Sequence, residues 1–296
     1  MSIDTTKLRE LAMKATPGPW ETCETDETAF EILGNRNNVW NSIMQRTQIW
    51  ASGGGTQSTA IAALIKLGKL PKPDLAVIAD TGREQSSTWT YLEEVTRPAL
   101  ASVGVEIHRV PAADFATVDL YGGKDKDTLL IPAFTNQSGE IGKLPAYCSN
   151  EWKQRVVRRW ATTRGVLAAD VWIGISTDEM QRLKKPSKGK WQDKYVLVEQ
   201  RMNRWECERL VIRMGWPKPP RSSCWMCPNH TQEEWRDIRD NKPEDWSEAV
   251  HFDRYIRIHD PHAFLHSDCV PLDQANLDDS NGVLFGHGCS SGHCYV

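Results

Sequence analysis

Three stretches of the 296-residue chain have the residue types and spacing that chemistry on an anion requires. The first is Ser52-Gly53-Gly54-Gly55-Thr56-Gln57-Ser58-Thr59, three glycines followed by a hydroxyl-rich turn. Glycines let a backbone approach an oxyanion closely, and N–H groups at a helix N-terminus favour negative charge there. No lysine accompanies them, so this is not the common P-loop. The second is Asp80-Thr81-Gly82-Arg83, where Asp80 suits a ribose hydroxyl or Mg2+ and Arg83 a phosphate or sulfate. The third, Ser176 to Arg182, offers Asp178 and Glu179 to a metal and Arg182 to a phosphoryl group. Each stretch has a plainer reading: a tight strand–helix turn for the glycines, helix capping for Thr177 or Asp178. Three such turns in succession are less easily explained that way.

Eight cysteines carry a second signal. Cys224-Trp225-Met226-Cys227-Pro228 places two thiols where one tight turn can bring them onto a metal, and Cys-Pro often follows iron–sulfur ligands. Cys148 precedes the segment "NEWKQRVVRRW", and Cys289 and Cys294 fall in "GHGCSSGHCYV". His230, His287 and His293 keep a structural zinc open as an alternative, and a redox dithiol is a third. Cys23, Cys207 and Cys269 stand alone and read as buried or incidental thiols. The segment 150–164 is basic. Its Lys153 and Arg155 suit a place over the anion site, whereas Arg158 and Arg159 suit solvent or a nucleic-acid backbone.

The elements that must position these residues follow from hydrophobic patterning. "TQIWA" reads as a strand and the residues from Ser58 as a helix carrying Ile61, Leu64 and Ile65 to a core. "LAVIAD" (75–80) is a continuous apolar run, as in a parallel strand buried on both faces. A helix through Trp89, Tyr91 and Leu92, the strand "VEIHRV", a helix from Asn150 and the strand "VWIGIS" continue the alternation. This predicts an α/β fold with a doubly wound, mainly parallel sheet. Ligands of such sheets sit at the carboxyl ends of the strands, where all three turns fall. The expected organisation is an N-terminal appendage over 1–45 with a helix from Thr5 to Lys14, a nucleotide-binding domain over 46–200, and an irregular Cys/His-rich region with only short elements over 201–296. Charged residues make up 25% and the net charge is −3, which excludes a disordered polyelectrolyte and any global nucleic-acid signature. The start, "MSIDTTKLRELAMKA", has no apolar core, so a cytoplasmic protein without a membrane partner is expected.

Taken in order, these motifs resemble a known superfamily. "SGGGTQST" is similar to the PP-loop of the adenine nucleotide alpha-hydrolases. "ADTGRE" is similar to the Asp-Thr-Gly motif of the adenylylsulfate and phosphoadenylylsulfate reductases. "YCSNEWK" and "GISTDEMQR" resemble two further segments of those reductases. The subfamily resembles the phage- and bacterium-encoded members of the phosphoadenylylsulfate reductase family related to DNA phosphorothioation sulfurtransferases.

The resemblance implies an enzyme that takes ATP or phosphoadenylylsulfate. It would activate a substrate by adenylylation, or use adenylylated sulfate. Ser52, Gly53, Gly54, Gly55, Thr56, Gln57, Ser58, Thr59, Asp80, Thr81, Gly82, Arg83 and Arg182 would hold the nucleotide. Ser58, Asp80, Lys153 and Asp178 are the catalytic candidates. The family also implies a [4Fe-4S] cluster on Cys148, Cys224 and Cys227, with Cys289 or Cys294 completing the set. Gln57 departs from the family pattern, standing where the ATP pyrophosphatases have an aspartate. An amide does not ligate Mg2+ as a carboxylate does, so any Mg2+ would fall to Asp80 or Asp178, and adenylylated sulfate is favoured. The rivals are an assimilatory phosphoadenylylsulfate reductase proper and a nucleotide- or DNA-binding module without catalysis. A nucleic acid is a candidate acceptor and a homodimer a candidate assembly.

Overall fold

The structure, a computed structural model, describes residues 46–185 and 189–278. Strands β1 (Thr47–Ser52), β2 (Leu75–Asp80), β3 (Ile107–Pro111), β4 (Ala169–Ile173) and β5 (Trp191–Lys194) form one sheet. Its order is β3-β2-β1-β4-β5. Every neighbouring pair is parallel. The chain moves outward from β1 to β3 and then returns to the other side of β1. The topological switch point, where such sheets open a crevice, therefore lies between β1 and β4.

The central strands β1, β2 and β4 bury both faces, which explains their unbroken apolar runs. Ile49, Ala51, Val77, Ala79, Val171 and Ile173 face one layer, and Trp50, Ala76, Ile78 and Trp172 the other. The second layer is built by α1 (Thr56–Lys66), by a helical stretch after β2, and by later helices. That stretch runs from α2 (Ser86–Tyr91) through a π turn at Leu92–Thr96 into α3 (Arg97–Ala101). The first layer is built by α4 (Arg155–Thr163), which a π turn at Asn150–Gln154 introduces. The helix expected from Asn150 thus begins with a wider turn. The doubly wound α/β architecture holds.

Among the described residues the C-terminal region adds no further strand to this sheet, and its connections are irregular. It is nevertheless more helical than its sequence predicts. After the short α5 (Val196–Glu199) come α6 (Arg204–Arg213), α7 (Gln232–Asn241) and the 17-residue α8 (Pro243–His259). Asn203 with Glu206 and Thr231 with Glu234 form capping boxes that start α6 and α7. α6 packs on α1 through Cys207 and Leu210, while Trp235, Ala249 and Ile256 join the core beneath α4. Asp253, 1% exposed, accepts from Leu265 N and Leu272 N, each at 3.0 Å, and pairs with Arg257 at 2.8 Å. It thereby pins the final loops to α8. The helix expected at Thr5–Lys14 lies outside the described residues. Among the described residues no helix is long and apolar enough to cross a membrane.

Candidate functional site

The glycine loop joins β1 to α1 and is held largely by its own hydroxyls. Ser58 Oγ accepts from Gly53 N at 2.8 Å, Ser52 Oγ from Gly54 N at 3.2 Å, and Thr59 Oγ1 donates to Gly55 O at 3.0 Å. Ser52, Ser58 and Thr59 therefore shape the loop rather than line its opening. Gly54 has φ of 74°, and a Cβ there would meet Thr88 Cγ2 at 2.6 Å. No side chain caps α1, and its first turn carries no acid. Its N-terminal amides are thus left facing the cleft, where a helix N-terminus favours anions. Gly174, just past β4, lets the neighbouring strand end approach α1: a Cβ would sit 3.4 Å from Ser58 Oγ.

Across the switch point, Gln57 Nε2 donates to Glu179 Oε2 at 3.1 Å, and Glu179 also pairs with Arg182 at 2.5 Å. Gln57, Glu179 and the buried Arg182 line one cleft of about 470 Å3 together with Gly55, Thr56, Thr81 and Lys153. That volume is in the range of small-molecule sites. Arg204, Arg221 and Glu234 line it too.

The turn after β2 brings a different set of partners. Glu84, with 2% of its side chain exposed, pairs with Lys153 Nζ at 2.8 Å. Thr81 Oγ1 donates to Glu84 Oε1 at 3.3 Å, and Cys224 Sγ stands 3.7 Å from that same oxygen and from Thr81 Oγ1. Burial alone would lower the Lys153 ammonium, but the Glu84 carboxylate beside it raises its pKa overall. Burial, reinforced by Glu84, pushes the Cys224 thiol up despite Lys153. Lys153 is therefore a fixed cation, and Cys224 a protonated thiol at neutral pH.

Several candidate residues take other roles. Asp80 accepts from Gly82 N at 2.8 Å and pairs with Arg109 at 2.6 Å, and does not line the cleft. Asp178 is exposed and accepts from Arg204 N at 3.0 Å, at the start of α6. Asp80 thus serves the turn after β2 and Asp178 the start of α6, and neither lines the cleft. Arg83 pairs with Asp119 at 2.6 Å and lies 4.6 Å over the Trp152 ring, so it reaches the cleft only through Trp152. Arg159 donates to Phe115 O at 2.6 Å and Arg158 lies 3.6 Å from Asp193, which turns that basic helix face inward to its own fold. Glu84, Arg204, Arg221 and Glu234 escaped the sequence reading. Glu84 closes "TGRE" but its partners, Lys153 and Cys224, lie far away in sequence, while Arg221 stands three residues before the cysteine pair, where nothing local marks it.

Cys148, Cys224 and Cys227 line the same cleft as reduced cysteines. Among the described residues no three His, Cys, Asp or Glu side chains are grouped to hold a metal ion. Cys224 Sγ faces Thr81 Oγ1 and Glu84 Oε1, each at 3.7 Å, so the described cysteines do not form a ready ligand set for the [4Fe-4S] cluster or for zinc. Cys289, Cys294, His287 and His293 lie outside the described residues. His230 donates its environment differently: its Nε2 lies 2.9 Å from Cys224 O, so the ring braces the cysteine turn.

Comparison with protein-family models and with curated proteins gives no match. Among solved structures, the chain is similar to phosphoadenylyl-sulfate (PAPS) reductase from Candida auris, in a phosphate complex. The two share 11% identity with a TM-score of 0.37 over 67% of this chain and 91% of that one. A likeness this distant carries no argument about activity, and the fold assignment rests on the sheet itself.

Proposed function

We propose that the chain is a PP-loop-type enzyme that binds an adenine nucleotide in the 470 Å3 cleft. The observation that supports this reading is the convergence of separate segments on one crevice at the switch point. The uncapped α1 N-terminus, Arg182 and Lys153 all face it. The loop amides would take the phosphate oxygens, and Arg182 and Lys153 would balance charge that develops as an anhydride bond opens. Lys153 is already aimed by Glu84, so it need not be ordered when the ligand arrives.

Gln57 favours adenylylated sulfate over a magnesium–ATP complex. Its amide is turned to Glu179 at 3.1 Å, and Asp80 and Asp178 are committed elsewhere. Transfer of the sulfo group to a nucleophile would form the new bond at sulfur as the S–O bond of the anhydride breaks and the adenine nucleotide leaves with its phosphate. Calorimetric titration with phosphoadenylylsulfate, and with ATP with and without Mg2+, tests the reading. Tighter binding of the sulfate anhydride, without a Mg2+ requirement, is expected. Absence of binding to either nucleotide would sink it.

A further inference from the structure

A strap from the C-terminal half forms the wall that faces the glycine loop. Residues 221–227 run antiparallel past the turn after β2. Trp225 N donates to Arg83 O at 2.8 Å, Cys224 bridges Glu84, and Gln85 Nε2 donates to Ser223 Oγ at 3.0 Å. This docking seats Ser222 directly on the loop. A Cβ built on Gly55 would lie 2.8 Å from Ser222 Oγ and 3.2 Å from Ser222 N. The third glycine is therefore the position where two distant segments touch.

Arg221 is held beside this contact. Glu234 pairs with its Nη1, and the Asn229 carbonyl accepts from Nη2 at 3.2 Å. Glu234 is itself fixed at the head of α7 by Thr231 N at 2.8 Å. The guanidinium plane is thus set by two anchors on its own side of the cleft, while Arg221 and Ser222 line the opening that Gly55 and Thr56 line from the other side. An arginine needed only to brace the strap has no reason to border the phosphate loop.

The lining has the right groups for an anion. Lys153, Arg182, Arg204 and Arg221 border the cleft, each oriented by a carboxylate (Glu84, Glu179, Glu208 and Glu234), and the α1 N-terminus adds its own unpaired dipole end. Such a lining suits a multiply charged oxyanion with planar, bidentate recognition by arginine.

We propose that Arg221 and Ser222 are the second half of the phosphate site, a clamp that holds the anhydride oxygens of the bound nucleotide against the Gly55–Gln57 amides. The ligand class is a nucleotide with an acid anhydride, its charge shared between loop and strap. This rests on the nucleotide reading above.

The test is calorimetry on the full chain with ATP and with phosphoadenylylsulfate, alongside thermal melting of each variant. Arg221→Gln is expected to weaken binding of the preferred nucleotide by about tenfold or more, and Arg221→Lys by less, because a lysine keeps charge but not the fork. Ser222→Ala is expected to weaken it about threefold while leaving the melting midpoint unchanged. Variants that melt earlier but, corrected for folded fraction, bind as the parent does would make Arg221 a brace only and overturn the clamp. Unchanged binding in Ser222→Ala and Arg221→Gln overturns it equally. If the parent binds neither nucleotide, the nucleotide reading itself fails and the clamp falls with it.

Discussion

Gly55 and the Glu84–Lys153 pair are the residues on which the cleft turns. Replacing Gly55 by alanine puts a methyl group 2.8 Å from Ser222 Oγ and 3.2 Å from its backbone nitrogen. A hydroxyl can swing aside, but a backbone nitrogen moves only with the strap. Gly55→Ala is expected to keep the fold and to weaken nucleotide binding about tenfold by titration, with a larger loss for Gly55→Val. Lys153→Met would strand a carboxylate that is 2% exposed. We expect it to cost about 3–5 kcal/mol in urea unfolding, with much of the loss recovered in the Lys153→Met/Glu84→Gln double variant. The glycines were legible in the sequence because backbone geometry at a loop is a local demand. Glu84 was not, because its meaning comes from a lysine on a different helix and a thiol beyond residue 220. Asp80 and Asp178 carry a related ambiguity: a carboxylate at a strand end serves a turn or a helix start as readily as a ligand.

Among the elements, the C-terminal helices do more than cover the sheet. Asp245, in the first turn of α8, accepts from Ser86 N at 3.1 Å and from Ser86 Oγ at 3.0 Å. No side chain of its own caps α2, so an acid from another helix does so, favourably placed at an N-terminus. Asp245→Ala should destabilise the protein by about 1–2 kcal/mol in thermal melting, and Asp245→Asn by less. The central strands were readable from their apolar runs. β5, "WQDK", was not, since it is an edge strand with partly exposed residues throughout. α6 and α7 were hidden by their charge: "RWECERLVIR" and "QEEWRDIRDN" bury only two or three residues each. Their capping boxes were the signal that could have revealed them.

For the whole molecule, acid is the condition that should loosen the site first. Burial alone would raise the Glu234 carboxyl, but the His230 ring at 3.6 Å and the Arg221 guanidinium bring it down to about 2 from 4.5. Because the folded pKa lies below the unfolded one, this stabilisation is complete above about pH 4.5 and is lost as pH falls towards 2. Its size is roughly 1–3 kcal/mol after allowance for the partial exposure of the pair. Tryptophan fluorescence, to which Trp225 in the strap and Trp235 in α7 contribute, should report the loss in an acid titration. Glu234→Gln should remove that part of the pH dependence.

The pairing of the glycine loop with a wall from residues 221 to 234 also has a consequence for how the protein is made. All five strands have left the ribosome once residue 194 is clear, yet Trp235, Ala249 and Ile256, which cover one face of the sheet, have still to be synthesised. For that interval the nascent chain carries a finished sheet whose greasy face α4 covers only in part, and one wall of the cleft without the other. A polypeptide ending near residue 200 should therefore bind no nucleotide and should aggregate or recruit a chaperone, whereas the same chain extended through α8 should remain dispersed.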